Sequence, residues 1–431
     1  MSSPDTHRSI GAGMNEPLID RYLAVRRFTE LLCEPLSAED CSIQSMPDVS
    51  PTRWHLAHTT WFFERLVLAE TPGYQVFDPQ YGYLFNSYYN TLGAQFPRPQ
   101  RGLLSRPGLA EVLDYRRYVD ERMERLLLDE GGRFSAQLAG ITEIGIHHEQ
   151  QHQELILTDI KHVLSHNPLA PVYRPGKSRQ PSSLPSPGWS DFGEGLRWIG
   201  HDGGGFAYDN ESPRHRVYLE PFALSSRLVT SGDYLEFITD RGYARPELWL
   251  SDGWRTVCER GWNAPLYWVE QDGGWLQFTL SGLREIDPAE PVCHVSYFEA
   301  DAFARWAGAR LLTEAEWEVA AEDQPIEGNF VDTPLADSTG IHPSPGNETD
   351  PGKPSLMFGD VWEWTASPYV AYPGYKPPPG AVGEYNGKFM CNQFVLRGGS
   401  CATTSSHIRR TYRNFFPADA RWQFSGLRLA R

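Results

Sequence analysis

Residues 146–154 read IHHEQQHQE. On a helix, residues four apart stand one turn apart on the same face, so His148 and His152 project together. Two neutral imidazoles so placed can grip one ion of Zn, Fe, Cu or Ni. The same letters also satisfy H-E-x-x-H, in which Glu149 would be the general base of a zinc hydrolase. The stretch sits within a helix predicted over about Ser135–His166. Apolar spacing predicts three more before it. The first covers 16–40, through Leu18, Ile19, Tyr22, Leu23, Val25, Phe28, Leu31 and Leu32. The second covers about Thr52–Ala69, with Ser50 as N-cap and Pro51 at the first position. The third covers about Gly108–Glu130. Residues 71–106, rich in Gly, Pro, Tyr and Asn, read as a long loop, and such loops inside compact domains are usually functional. Four helices with one long connection predict a four-helix bundle.

One ion needs more than two ligands. The string RWHLAHTTWFF (53–63) places His55 and His58 on the second helix. Ligands from facing helices converge in a bundle core, so either histidine can complete a three-histidine face with His148 and His152. Three neutral ligands leave other coordination positions open for substrate and oxygen.

The 431 residues suffice for two or three domains. With 39 Lys and Arg against 55 Asp and Glu, the formal charge is −16, which argues against nucleic acid and anionic membrane as partners. No apolar run approaches membrane-span length, and the N-terminus has no signal-peptide core, so a cytoplasmic protein is expected. The six cysteines form no CxxC and are expected as buried or half-buried thiols. Boundaries are placed at 1–175 for the bundle, 176–190 for a Pro/Ser-rich linker and 191–431 for a second domain. That second part is turn-rich, with strand-like pieces (RHRVYLEPFAL, FVLRGGS) and helix-like ones. In RLLTEAEWEVAA, Thr313 and Glu316 make a capping box.

Four strings in this half are distinctive: 209–238, PVCHVSYFEADAFARWAGARLLTEAEWEVAA (291–321), FGDVWEWTASPY (358–369) and VLRGGSCATTSSHIRRTYRNFFPADARWQFSGLRLAR (395–431). They resemble the formylglycine-generating-enzyme/sulfatase-modifying-factor family, which has a C-type-lectin-like fold. The first half resembles a DinB-type bundle, with LAHxxWF and HEQQH as its metal signatures. The two in this order resemble the ergothioneine-biosynthesis sulfoxide synthases (EgtB-type), over about residues 17–431. The resemblance implies an α+β chain and a mononuclear non-haem Fe(II) site. It implies O2-dependent joining of a cysteine-type thiol to imidazole C2 of hercynine (Nα-trimethylhistidine), with oxidation of the sulfur to a sulfoxide.

Carried onto this chain, the iron ligands are His58, His148 and His152, while His55 and His147 fall outside the match and are expected only to pack. Gln151 takes the hercynine-contacting position. Arg98 and Arg101 of FPRPQRG match the pair that binds the thiol substrate's carboxylates, which suits a guanidinium fork. Relatives carry Asn-Trp-Asp after Tyr-Arg. Here YRNFF keeps Asn414 but has Phe415 and Phe416, and the lost acid favours free cysteine over γ-glutamylcysteine. Tyr88 and Tyr89 of FNSYYNTLG are the candidate proton or hydrogen-atom donors. The alternatives are the same reaction with γ-glutamylcysteine and an ovothiol-type synthase, whose usual methyltransferase domain finds no room in 431 residues. A non-catalytic lectin-like binder and a zinc hydrolase are further ones. Formylglycine generation is not expected, because its cysteine pattern is not found in Cys391 and Cys401.

Overall fold

The computed structural model describes residues 16–129, 134–176, 188–337, 340–346 and 353–431. Four long helices form the N-terminal bundle: α1 (Leu18–Cys33), α2 (Thr52–Leu66), α4 (Leu109–Leu127) and α5 (Ala136–Ser165), with a single turn, α3 (Tyr81–Leu84), in the long loop. α1 ends earlier than its apolar spacing suggests: Glu34 still has helical backbone, but Pro35 has no N–H to continue the ladder. The expected Ser50 cap is not made. Pro51 holds the N-cap position without a side-chain bond, and Ser50 is engaged elsewhere: its N–H donates to Asp159 and its hydroxyl accepts from Arg101. At α5, Ser135 does cap, accepting from the Leu138 N–H at 3.2 Å.

α5 packs against α1 and α2, and α2 against α4. The bundle core is aromatic, with Tyr22, Trp61, Phe62, Phe63 and Tyr115 buried together. Gly145 lets α5 approach α2: a Cβ there would lie 2.5 Å from the Phe63 ring. This close crossing brings His148, one turn further on, opposite His58.

Residues 177–187 of the expected linker lie outside the described residues. From Trp189 the chain forms short strands and helices around a core of Trp317, Trp362, Trp364, Tyr234 and Phe303. Strands Trp189–Phe192, Phe222–Ser225, Leu429–Ala430 and Arg310–Leu311 make one sheet, so both ends of this half pair with one neighbour. A second sheet runs Asn414–Pro417, Gln393–Arg397, Trp362–Pro368, Ser425–Gly426, antiparallel except at the last pair. The Thr313–Glu316 capping box forms as expected. The helix Ser251–Arg260 and the meander Trp268–Glu285 are not among the elements expected from the sequence.

A third apolar cluster joins the halves: Leu32, Leu157, Ile160 and Leu164 of the bundle bury against Leu228, Phe278, Val331 and Phe424. Cys33, Cys41, Cys293 and Cys401 are buried or half-buried as free thiols. Cys258 and Cys391 are instead exposed, being on the open side of a short helix and just after a 3-10 turn. No described helix is long and apolar enough to cross a membrane.

Candidate metal centre

Three imidazoles meet where α2 crosses α5. The Nε2 atoms of His58 and His148 are 3.2 Å apart, and those of His148 and His152 are 3.1 Å apart. All three residues are buried, with one nitrogen of each within 4.8 Å of the others. Nitrogens bound side by side to one ion at about 2.0–2.1 Å stand roughly 3 Å apart, so the spacing fits. Burial holds the His148 imidazole down to about 4 and those of His58 and His152 well below their usual range, so all three are neutral at pH 7, as ligands must be.

The tautomers follow from the partners. His58 Nδ1 lies 2.6 Å from the Phe85 carbonyl oxygen, which only accepts, so the proton is on Nδ1 and the Nε2 lone pair is free. His152 Nδ1 meets His55 Nδ1 at 2.8 Å, and His55 Nε2 meets the Asp159 carboxylate at 3.0 Å. Lone pairs that face one another at this distance repel unless a cation lies between them, so the donor set fits a metal ion. Trp54 braces it: its ring stacks on His58 (4.6 Å, 12°) and carries the Arg101 guanidinium 3.3 Å from its own centroid.

Of the other polar residues of IHHEQQHQE, Gln151 and Glu154 border the cavity beside the histidines, and His147, Glu149, Gln150 and Gln153 are engaged away from it. Glu149 accepts from Arg26 (2.8 Å), Arg116 (2.6 Å) and Thr29 (2.7 Å) in the bundle interior. It is therefore a structural counter-ion and not the base of a zinc hydrolase. His147 pairs with His407, Gln150 with Ser406, Gln153 with Thr404, and Glu154 with Trp362, Ser400 and Thr403. The segment 400–412 is thus fastened along the helix that bears two of the histidines.

A cavity of about 210 Å³ opens beside the histidines, between the two halves. Every residue expected to act in catalysis or substrate binding borders it: Tyr88, Tyr89, Arg98, Arg101, Gln151, Asn414, Phe415 and Phe416. Tyr88, at φ +69°, accepts from Arg98 Nη1 at 3.0 Å and packs on Tyr385 and Phe389. The Tyr89 ring lies between Trp61 and Phe62, and burial pushes its phenol well up. Arg98 also reaches the Asp48 carbonyl, and Arg101 donates to Ser50 and Ser87. Burial and the neighbouring Arg98 pull Arg101 down to about 9. Among the described residues neither arginine has a carboxylate partner. Gln151 donates to the Tyr412 hydroxyl at 2.7 Å. The end strand of the second sheet delivers Asn414, Phe415 and Phe416, with Phe415 stacked on Tyr369 at 4.1 Å.

His55 packs, as expected, but it also bonds to His152, one of the three candidate ligands. Its spacing to His58 was visible; its partner Asp159, 104 residues away, was not. Trp54, Tyr385 and Tyr412 are further cavity residues that the motifs did not mark.

Residues 21–156 match the DinB superfamily, and residues 194–337 and 355–431 match the sulfatase-modifying factor enzyme 1-like domain. Hercynine oxygenase of Mycolicibacterium smegmatis is 32% identical over 96% of this chain and 98% of its own length. Hercynine oxygenases of Mycolicibacterium thermoresistibile and Mycobacterium tuberculosis are each 37% identical over 52% of this chain. Those two matches span about half of the relatives' lengths, 54% and 55%. A DinB bundle joined to a sulfatase-modifying-factor module, aligned nearly end to end with one hercynine oxygenase, places this chain in the hercynine oxygenase family of EgtB-type proteins.

Proposed function

We propose that the protein is an Fe(II)-dependent oxygenase that joins cysteine to C2 of the hercynine imidazole as a sulfoxide. Thiol S–H, imidazole C2–H and O2 give the C–S(=O) group and one water. The observation that carries this reading is the convergence of three neutral imidazoles on a cavity whose wall holds a buried guanidinium group, Arg101, and a half-buried one, Arg98, neither with a carboxylate partner among the described residues. His58, His148 and His152 would hold the iron, which supplies the redox chemistry with O2 when bound. Arg98 and Arg101 clamp the thiol substrate's carboxylate. Gln151, steadied by Tyr412, and Asn414 orient hercynine. The aromatic walls from both halves exclude water.

The wall also distinguishes thiols. Phe416 offers no acceptor for a distant ammonium group. Asp48, whose backbone carbonyl accepts from Arg98, borders the cavity, and the two side chains would offer an anion and a cation to a zwitterion with both charges on one carbon, as in cysteine. Burying the dipeptide's ammonium against Phe416 would cost a few kcal/mol, more than a cation–π contact of about 0.5–2 kcal/mol returns. With hercynine saturating, kcat/KM is expected to favour cysteine over γ-glutamylcysteine by at least tenfold. A tenfold preference for the dipeptide, about 1.4 kcal/mol the other way, would contradict the reading.

Tyr88 and Tyr89 are the proposed proton donors. A Tyr→Phe change removes only the hydroxyl, so the fold is retained. At one of the two positions, it is expected to divert turnover from sulfoxide toward simple thiol oxidation, measured as the ratio of the two products. An unchanged rate and ratio in both single variants would make the tyrosines packing residues.

A further inference from the structure

The ligands of the metal centre are backed unequally. His58 is held by a neutral carbonyl oxygen, and His148 Nδ1 has no hydrogen-bond partner among the described residues. His152 alone is connected to a charge, through His55 to Asp159. Both intermediaries are buried. His152 and Asp159 lie seven residues apart, two turns along the same face of α5. His55 reaches between them from α2, on the face that also presents His58.

Proton positions along this chain are dictated from its charged end. The Asp159 carboxylate only accepts, so His55 carries its proton on Nε2. His55 Nδ1 is then a lone pair and must accept, so His152 donates from Nδ1. That leaves His152 Nε2 unprotonated and aimed at His58 and His148. A carboxylate at the end also makes the His152 imidazole a more basic donor, as carboxylate-backed ligands are elsewhere. The same Asp159 oxygen takes the Ser50 N–H at 2.8 Å, which ties the entry of α2 to α5.

We propose that Asp159 and His55 are positioning residues that fix the tautomer and orientation of His152, making it the anchoring ligand of the metal centre. This rests on the metal-site reading above. Neither residue touches substrate in this role. Each acts only through His152.

The test is Fe(II) affinity of the full-length protein, measured anaerobically by competition with a chromophoric chelator. Asp159→Asn keeps the shape and an acceptor oxygen but removes the charge. His55→Phe keeps the ring but removes both bonds, while Asp159 retains Ser50. Each is expected to weaken Fe(II) binding about 10–100-fold. Because the two act in series, the double variant is expected to bind within threefold of His55→Phe. In the Co(II)-substituted protein, Asp159→Asn is expected to shift the visible ligand-field bands. Asp159→Asn binding Fe(II) within threefold of the parent with unshifted Co(II) bands would overturn the relay. So would losses that multiply in the double variant. If the parent itself binds no Fe(II), the metal-site reading falls and takes the relay with it. Loss of binding in His148→Ala beside parent-like Asp159→Asn would sink the relay alone.

Discussion

His148→Ala is expected to abolish stoichiometric iron binding and all sulfoxide formation while the bundle remains folded. His148 supplies the central nitrogen of the three, 3.1–3.2 Å from each neighbour. Without it, His58 and His152 remain as two neutral ligands, too few to hold a divalent ion against water. The fold should survive because no described side chain hydrogen-bonds to His148 outside the triad, and the bundle core does not depend on its polar atoms. His58→Ala and His152→Ala are expected to behave alike. Iron content by elemental analysis, read beside far-UV circular dichroism, separates loss of metal from loss of structure. Full activity in any of the three variants would remove that residue from the metal site.

Glu149→Gln is expected to act in the opposite way, through stability. Its carboxylate is fully buried between Arg26 and Arg116, and although burial pushes it up, the two guanidinium groups hold it down to about 2. Removing one member of such a cluster leaves uncompensated buried charge, a loss of about 3–5 kcal/mol. Denaturant unfolding should show this loss, centred on the α1–α4–α5 contact. At a temperature where the variant is still folded, hercynine turnover should stay within a few-fold of the parent, because Glu149 faces away from the cavity. A Glu149→Gln protein of parental stability that had lost all activity would restore the residue to a role in the chemistry.

Local pattern made part of this site legible. The four-residue spacing of His148 and His152, and the repeat of apolar residues through α1, α2, α4 and α5, survive as geometry because a helix turns sequence spacing directly into facing. Arg98, Arg101, Tyr88 and Tyr89 lay in a loop whose length and composition marked it as functional, though not where it would fold. What pattern did not reveal depends on tertiary contacts. The link of His55 to Asp159 spans 104 positions, and that of Gln151 to Tyr412 spans 261. No periodicity relates such residues. Ser50 illustrates the same limit at a helix start. Its side chain is a good cap by type, yet Arg101 and Asp159, brought in by the fold, take its polar groups. The meander Trp268–Glu285 was missed, although its first turn carries the hairpin pair Asp272-Gly273, because its strands alternate weakly.

Three histidines and two arginines are expected to serve one reaction in one cavity. Protein purified without added metal, reconstituted anaerobically with Fe(II) and supplied with hercynine and cysteine, should yield no product until O2 is admitted. Mass spectrometry should then find the cysteine–hercynine sulfoxide, the sum of the two substrates plus one oxygen less two hydrogens. Consumption of O2 with only cystine or cysteine sulfinate formed, and no mass joining the two substrates, would contradict the account.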